Sequence, residues 1–289
     1  MKKILMMAAI VMGLTPIFAS ASPQQDLKQF RAYFFKKFPG VKLQEFADGI
    51  YGISKERRQE YEAMEDFPPY EPGVEIGKQL FIKYKVGSCF KHGGIGIRQN
   101  YPYFDKKSGQ VRTLEGDIMA CLHRNKIDTK KENLKFGKGK FAAISAYMAY
   151  TSRGKKLNVI VPNDKRALAI YNEGKTYFYA KRGQLNFACA DCHMYDAGMM
   201  ARANLLSPAL GHVTHFPTYR KKWESSPGGN PALNGFGTIQ RRYGGCNKQV
   251  RAKPLKPING HQNPEYVALE YFHSYMSNGI KINGPDIRE

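Results

Sequence analysis

The sequence is poor in acidic residues, and beyond its amino terminus it lacks a long apolar run. No segment after residue 21 approaches the roughly 18 apolar residues of a membrane-spanning helix, so stable membrane insertion is not expected. Aspartate and glutamate together number 24, against 45 lysines and arginines, which leaves a net charge of +21. Such a charge attracts anions, which include nucleic acid, anionic lipid, acidic proteins and small anionic substrates.

The first 21 residues have the pattern of a secretory signal peptide. Lys2 and Lys3 precede an apolar stretch that ends in Ala19-Ser20-Ala21, a cleavage site with small residues. An uncleaved membrane anchor is the alternative. Export would place the mature chain, residues 22–289, in the bacterial periplasm or outside the cell. That compartment is oxidising and holds the protein apart from nucleic acid.

Only five cysteines occur, and two of them form a motif. Cys189-Ala-Asp-Cys192-His193 is a C-x-x-C-H sequence, which in a secreted protein is typical of covalent c-type haem attachment. Two thiols one turn apart can add to the two haem vinyl groups, and the histidine that follows can bind the iron. A structural disulfide or half of a zinc site is the alternative, but the sequence has no second C-x-x-C.

The two halves of the chain resemble each other. Aligning Cys121 with Cys246 matches threonines eight residues before each cysteine, and downstream it matches these pairs without a gap: Ala143 with Ala268, Ile144 with Leu269, Tyr147 with Phe272, Tyr150 with Tyr275, Ser152 with Ser277, and Gly154 with Gly279. A Gly-Lys segment also precedes the first cysteine of each half, at Gly77 and Gly174. A repeat of this length predicts a duplicated domain. The expected division is residues 22–155 and 156–289.

The patterns within each half are mostly helical. Asn263-Pro264-Glu265 has the features of a helix start, and Asn278-Gly279 those of a helix end. Apolar stripes with helical spacing run through both halves: Phe141, Ile144 and Met148 in the first, and Leu269, Phe272 and Met276 in the second. We therefore expect a mainly α fold of two tandem cytochrome c-like domains.

The first half has lost the haem motif. At the corresponding place it has Cys89-Phe90-Lys91-His92, and one cysteine cannot make two thioether bonds. Cys89 and Cys121 are then available to form a disulfide, which the compartment favours. A haem held by Cys89 alone is the alternative. A disulfide would leave Cys246 as the odd thiol.

The chain resembles SoxA, the catalytic subunit of the SoxAX cytochrome c complex of bacterial thiosulfate oxidation. The resemblance depends on the haem motif and on two further segments: Arg242-Tyr243-x-x-Cys246-Asn247-x-x-x-Arg251-x-x-Pro254, and Glu265-Tyr266-x-Ala268-Leu269-Glu270-x-Phe272 running to Asn278-Gly279. Members carry one or two haems. The departure at residues 89–92 places this chain with the single-haem type, whose vacated domain would hold the disulfide.

The resemblance implies an enzyme, an L-cysteine S-thiosulfotransferase. Cys189 and Cys192 would hold one haem c, with His193 as the proximal ligand. Cys246 would be the distal ligand and the catalytic thiolate or persulfide, and Arg242 would bind thiosulfate. The acceptor would be a cysteine of the SoxYZ carrier protein. The SoxX cytochrome would form a heterodimer with this chain and take the electrons.

Several alternatives stay open at this point. Cys246 could be an inert buried thiol or could pair with Cys89 or Cys121, and Arg242 could be a surface charge. Other residues could bind the iron in place of Cys246: Met199, Met200, His212, His215, His261 and Met276. The alternative function is that of a basic periplasmic electron-transfer cytochrome c without sulfur chemistry.

Overall fold

Helices dominate the computed structural model, which describes residues 22–288. The helices are α1 Pro23–Lys37, α2 Ile50–Ile53, α3 Lys55–Glu65, α4 Glu71–Lys83, α5 Leu114–Arg124, α6 Gly139–Tyr150, α7 Lys165–Tyr179, α8 Lys221–Glu224, α9 Pro231–Asn234, α10 Ile239–Gln249 and α11 Pro264–Met276. Short 3₁₀ turns lie at Leu43–Asp48, Val86–Cys89, Lys91–Gly94 and Arg98–Asn100, and a π-helical turn at Asp191–Tyr195. The expected signal peptide lies outside the described residues.

The strands are short and form three small sheets. They are β1 Tyr103–Asp105, β2 Gln110–Arg112, β3 Met200–Ala201, β4 Asn204–Leu205, β5 Thr218–Arg220, β6 Phe236–Gly237 and β7 Ile287–Arg288. β1 pairs antiparallel with β2, and β3 with β4. β5 lies between an antiparallel β6 and a parallel β7. The mainly helical class predicted from the sequence is confirmed.

One helix pair organises the first half of the chain. α4 crosses α6 at Gly77, where an added Cβ would lie 2.1 Å from the carbonyl oxygen of Ala143. Only glycine permits so close an approach of two backbones. The crossing lies beside an apolar core that includes Phe81, Leu114, Ile118, Phe141 and Met148.

A similar helix pair organises the second half. α7 crosses α11 at Gly174, where an added Cβ would lie 2.0 Å from the carbonyl oxygen of Ala268. The surrounding core includes Tyr171, Phe178, Leu269, Phe272 and Met276. α1 packs into this second core through Phe30 and Phe34, although it belongs to the first half of the chain.

The start of α11 follows the sequence signals closely. Asn263 is the N-cap, and its side-chain oxygen accepts a hydrogen bond from the backbone N–H of Glu265 at 3.1 Å. Pro264 occupies the first turn, where its missing N–H costs nothing. The expected stripe of Leu269, Phe272 and Met276 is buried.

Buried carboxyl groups of the two halves lie close enough for the charge of one to act on the other. Glu270 of α11 accepts a hydrogen bond from Gln240 at 2.9 Å, and Glu115 of α5 accepts one from Ser145 at 2.7 Å. Burial and then the nearby charge of Glu115 raise the pKa of Glu270 to about 8, although the buried Arg98 opposes the shift. Glu270 therefore favours the protonated form in the folded protein at neutral pH.

No helix within residues 22–288 has both the length and the apolar character needed to cross a bilayer.

Candidate active site

Helix α10 carries two of the residues that the sequence singles out. Arg242 and Cys246 are four residues apart, so they lie on the same face of the helix. Gly244 and Gly245 stand between them, and a Cβ added at Gly245 would meet no atom within 4 Å. The helix surface is therefore open at Gly245, the residue before Cys246.

His193 faces Cys246 from the other side of the site. It lies in the π-helical turn Asp191–Tyr195, and its Nδ1 is 2.8 Å from the carbonyl oxygen of Ser207. This distance places the proton on Nδ1, which leaves the lone pair of Nε2 free to bind a metal. The His193 side chain also forms a hydrogen bond with the Cys246 thiol.

A large cavity contains these groups. Its volume is about 1020 Å³, and Cys192, His193 and Arg242 line it. An inner extension of about 80 Å³ is also lined by these three residues and reaches Cys189 and Cys246. The structure therefore brings together all five residues predicted for haem attachment, iron binding and catalysis.

The Cys246 thiol has an unusual electrostatic environment. Burial raises the pKa of this thiol, but the charge of Arg242, the contact with His193 and the charge of Arg220 outweigh that effect and lower the pKa to about 6. Burial instead raises the pKa of Cys189 to about 11, and it also raises the pKa of Cys192. Among the three free thiols of the described chain, Cys246 is the one stabilised as a thiolate.

The donor set fits a c-type haem. Cys189 and Cys192 are free thiols that border the cavity, and His193 and Cys246 face each other with ligand atoms directed into the same space. A nitrogen and a thiolate sulfur are both established axial ligands of haem iron. The cavity is also at the upper end of the usual size range for ligand sites, roughly 300–1,000 Å³.

The other candidate iron ligands are less well placed. Met199 and Met200 are 59% and 57% exposed at the cavity edge, His261 is exposed, and Met276 is buried in the core beside α7. The His212 ring lies 5.3 Å from that of His193, the expected proximal ligand, and the His215 ring meets it in a T-shaped contact at 4.9 Å.

Buried hydrogen bonds hold α10 in position. The side-chain nitrogen of Asn247 donates to the hydroxyls of Tyr177 and Tyr266, both at 3.0 Å. The Tyr243 hydroxyl is 3.1 Å from Nδ1 of His273, whose Nε2 is 2.9 Å from the carbonyl oxygen of Ala209. Burial lowers the pKa of His273 to about 4, so its ring is neutral and can accept from Tyr243. Asn247, which belongs to the segment from Arg242 to Pro254, thus positions α10.

Sequence reasoning missed one wall of the cavity. Arg220, Trp223 and Arg241 line it, and burial together with the charge of Arg242 lowers the pKa of Arg220 to about 10. Lys248 and Arg251 are also close to Cys246 in sequence, but both side chains are exposed. In the sequence, the basic and aromatic segment at residues 219–223 was the feature that could have indicated this wall.

The first half of the chain also reaches the site. Phe136, Gly137 and Lys138 line the cavity, and the carbonyl oxygen of Gly137 accepts a hydrogen bond from the backbone N–H of Thr238 at 3.1 Å. Thr238 is the N-cap of α10, so this contact secures the start of the helix.

Cys89 and Cys121 form a disulfide, with Cα atoms 5.8 Å apart, as we favoured from the sequence. His92, which follows Cys89, is exposed and has a left-handed backbone with φ of 53°. No free thiol accompanies it in the described part of the first half.

Comparisons with known proteins identify relatives of this chain. A family model described as "SoxA/TsdA, cytochrome c domain" matches residues 84–157. Two curated relatives are named L-cysteine S-thiosulfotransferase subunit SoxA. The one from Chlorobaculum thiosulfatiphilum is 46% identical over 91% of this chain and 87% of its own length. The one from Allochromatium vinosum is 41% identical over 99% of this chain and 96% of its own.

A solved structure is also similar to this chain. The crystal structure of SoxXA from P. pantotrophus superposes with a TM-score of 0.63 and 26% sequence identity, covering 80% of this chain and 84% of that one. The identity and coverage of the curated relatives establish the family. The chain belongs to the SoxA family of c-type cytochromes, the L-cysteine S-thiosulfotransferase subunits.

Proposed function

We propose that the protein conjugates thiosulfate to a cysteine of the SoxYZ carrier and passes the electrons to the SoxX cytochrome, with which it forms a heterodimer. The observation that carries the proposal is the placement of Arg242 and Cys246 on one face of α10, opposite His193 and beside Cys189 and Cys192. A plain electron-transfer cytochrome has no need of a thiolate and a guanidinium in the same cavity.

One haem c per chain follows from the thiols. Cys189 and Cys192 would form the two thioether bonds, and His193 and Cys246 would bind the iron. When bound, the haem supplies one-electron acceptance close to the reacting sulfur. A second haem has no attachment site in the described first half, because Cys89 is bridged to Cys121.

The residues of the chain have distinct tasks in the reaction. The planar guanidinium of Arg242 can donate two parallel N–H bonds to the sulfonate oxygens of thiosulfate. That orientation presents the outer sulfur to Cys246, whose thiolate form Arg242 also stabilises. Cys246 would act as thiolate or persulfide, and the two glycines before it leave room for the carrier's cysteine.

The overall reaction balances in atoms and charge. A sulfur–sulfur bond forms between the carrier cysteine and the outer sulfur of thiosulfate, and no bond within thiosulfate breaks. The carrier thiol loses its proton to solvent. Two electrons leave the joined sulfurs, and SoxX accepts them one at a time.

The architecture supports descent from a duplicated cytochrome c-like domain whose first copy has lost its haem. The aligned residues Ala143 and Ala268 receive the close contacts of Gly77 and Gly174, the glycines of the two Gly-Lys segments. Residues 22–155 and 156–289 would be the two copies. Residues 1–21 would direct export to the periplasm, where c-type cytochromes of this family function.

The test is an assay of the holoprotein with thiosulfate, SoxYZ and SoxX. The wild type should form the S-thiosulfonate on the carrier. Cys246→Ala should abolish conjugation and the low-spin histidine/thiolate signal in electron paramagnetic resonance. Arg242→Gln should raise the KM for thiosulfate, whereas Arg124→Gln, an exposed arginine in the first half, should behave as wild type.

Two results would contradict the proposal. An intact mass with two haems would overturn the assignment of a single site. A wild-type holoprotein that exchanges electrons with SoxX but never modifies the carrier would establish the alternative function, that of an electron-transfer cytochrome.

A further inference from the structure

A short hairpin precedes the C-x-x-C-H motif. Arg182 and Phe187 exchange two backbone hydrogen bonds: the N–H of Arg182 donates to the carbonyl oxygen of Phe187 at 3.0 Å, and the reverse bond measures 3.2 Å. We call residues 182–187 the attachment hairpin, because Cys189 follows two residues later. Both Arg182 and Phe187 line the inner extension of the cavity, so the hairpin borders the candidate haem site.

The attachment hairpin packs against the end of α10. Gly183 has φ of +71°, and a Cβ there would lie 2.1 Å from the carbonyl oxygen of Val250, the C-cap of α10. Only glycine permits this approach. The same oxygen accepts a hydrogen bond from the N–H of Leu185 at 3.3 Å, and the N–H of Val250 donates to the carbonyl oxygen of Cys246 at 3.2 Å. Two backbone hydrogen bonds therefore connect the hairpin to Cys246.

The side chain of Arg182 makes a second connection to α10. Its guanidinium lies 3.9 Å from the centroid of the Tyr177 ring, donates to the carbonyl oxygen of Tyr177, and donates to Sγ of Cys189 at 3.3 Å. The planar group covers one face of the ring and thereby fixes the direction of the ring. At the end of that ring, the Tyr177 hydroxyl accepts a hydrogen bond from Asn247, the residue after Cys246, at 3.0 Å.

We propose that Arg182 is a positioning residue that acts through Tyr177 and Asn247 to hold α10, so that Cys246 stays opposite His193. The inference rests on the proposed ligation of the iron by Cys246 and not on the transfer of thiosulfate. The two axial residues belong to segments far apart in the chain, and a ligand constellation needs supporting contacts to keep its members at a fixed separation. A guanidinium suits this task, because it is planar and makes several directed contacts at once.

A role in haem attachment alone is the rival explanation, because Arg182 also donates to the Cys189 sulfur. That contact weakens once the sulfur has become a thioether, which is a poor acceptor, whereas the contacts with Tyr177 do not depend on the haem. We favour positioning because two separate routes lead from the attachment hairpin to α10. One runs through the Tyr177 hydroxyl to Asn247, and the other runs through the backbone to Cys246.

The experiment uses the oxidised holoprotein and imidazole as the probe, because imidazole competes with the Cys246 sulfur for the iron. Binding is followed by the haem absorption spectrum, and the intact mass gives the haem content of each variant. Arg182→Gln removes the planar cation, Arg182→Lys keeps only the charge, and Tyr177→Phe removes only the hydroxyl. Lys181→Gln, at the exposed neighbouring lysine, is the matched control for the loss of one charge.

Arg182→Gln should bind imidazole about fivefold more tightly than the wild type, the factor that corresponds to roughly one lost hydrogen bond, with an unchanged haem content. Arg182→Lys should show a smaller gain. Tyr177→Phe should also bind imidazole more tightly, and the double variant should gain less than the product of the two single effects, because both residues act along one route. The low-spin histidine/thiolate signal in electron paramagnetic resonance should broaden in these variants and stay as in the wild type in Lys181→Gln.

An Arg182→Gln holoprotein that binds imidazole as Lys181→Gln does would overturn the inference, and a lower haem content in that protein would then assign Arg182 to attachment. Single effects that multiply fully in the double variant would overturn it as well, since Tyr177 would not transmit the effect. Arg182→Lys and Tyr177→Phe keep the test decisive should Arg182→Gln take up too little haem to titrate. A wild type without the histidine/thiolate signal would instead overturn the proposed ligation, and the assay with thiosulfate, SoxYZ and SoxX tests conjugation separately.

Discussion

The crossing of α7 and α11 permits a quantitative prediction about the scaffold of the site. In a Gly174→Ala variant the new Cβ would lie 2.0 Å from the carbonyl oxygen of Ala268, 2.5 Å from its carbonyl carbon and 2.9 Å from Cβ of Phe272. Real Cβ atoms essentially never come closer than 3.0 Å to such neighbours. Two of the three contacts are with backbone, which cannot rotate away, so the helices must separate by about 1 Å.

The cost follows from two opposing terms. Overpacking a close-packed interior typically costs about 1–3 kcal/mol, and we take the upper end because backbone atoms are involved. The higher helix propensity of alanine compared with glycine stabilises the folded protein by about 1 kcal/mol. The expected loss in the free energy of unfolding is therefore about 2 kcal/mol, or a fall of roughly 4–8 °C in Tm for a protein of this size.

Thermal unfolding of the holoprotein, followed by far-UV circular dichroism, measures this effect. Gly77→Ala should lose a similar amount, since its Cβ would lie 2.1 Å from the carbonyl oxygen of Ala143. Gly244→Ala is the matched control, because its Cβ would meet Pro254 and Tyr266 at 3.6 and 3.8 Å, ordinary contact distances. A Gly174→Ala protein at least as stable as the Gly244→Ala control would refute the reasoning.

Three further predictions concern the links between the halves and the disulfide. The pKa of Glu270 is raised to about 8, against about 4.3 when unfolded, so its stabilising contribution is complete below the unfolded pKa and is lost as pH rises through the folded value. Glu270→Gln should therefore flatten the fall in Tm between about pH 5 and pH 8; an unchanged slope would exclude this carboxyl as its source. Replacing both Cys89 and Cys121 by alanine should lower the free energy of unfolding by about 3–4 kcal/mol, since the bridge closes a loop with a sequence separation of 32; denaturant unfolding should show it, and equal midpoints for the variant and the wild type would count against the bridge. Gly137→Ala places a side chain at φ of +88° and should lower the free energy of unfolding by about 1 kcal/mol in the same measurement. An unaffected midpoint would contradict the cost expected from this backbone conformation.

Much of the fold could be predicted because local signals agreed with each other. The cap at Asn263, the proline at Pro264 and the apolar stripe behind them all specify α11, and the structure places that helix as expected. The close glycine crossings could not be predicted. A glycine in a helix is ordinarily a weak position, and only the partner backbone at Ala143 or Ala268 explains it.

Part of the site could not be predicted from the sequence either. Arg220 ends β5, Trp223 follows the strand, and neither fits a motif; their place in the cavity wall appears only when β5, β6 and α10 are assembled. The same is true of Gly137 and Lys138, which are about a hundred residues from Cys246 in the chain and yet line the same cavity. Proximity of this kind depends on long-range packing, to which the spacing of residues gives no guide.

The sequence by itself determined which family this protein resembles and which residues are candidates for its chemistry. Two thiols and a histidine at fixed spacing predict haem attachment, and the segment from Arg242 to Pro254 indicates the family, because covalent attachment and ligand type depend on residue identity. The tertiary structure alone decided which charges surround the Cys246 sulfur. Exposed Lys248 and Arg251 are close in sequence, yet it is Arg242, His193 and Arg220 that lower its pKa. Electrostatic effects depend on distance and burial, and only packing sets these.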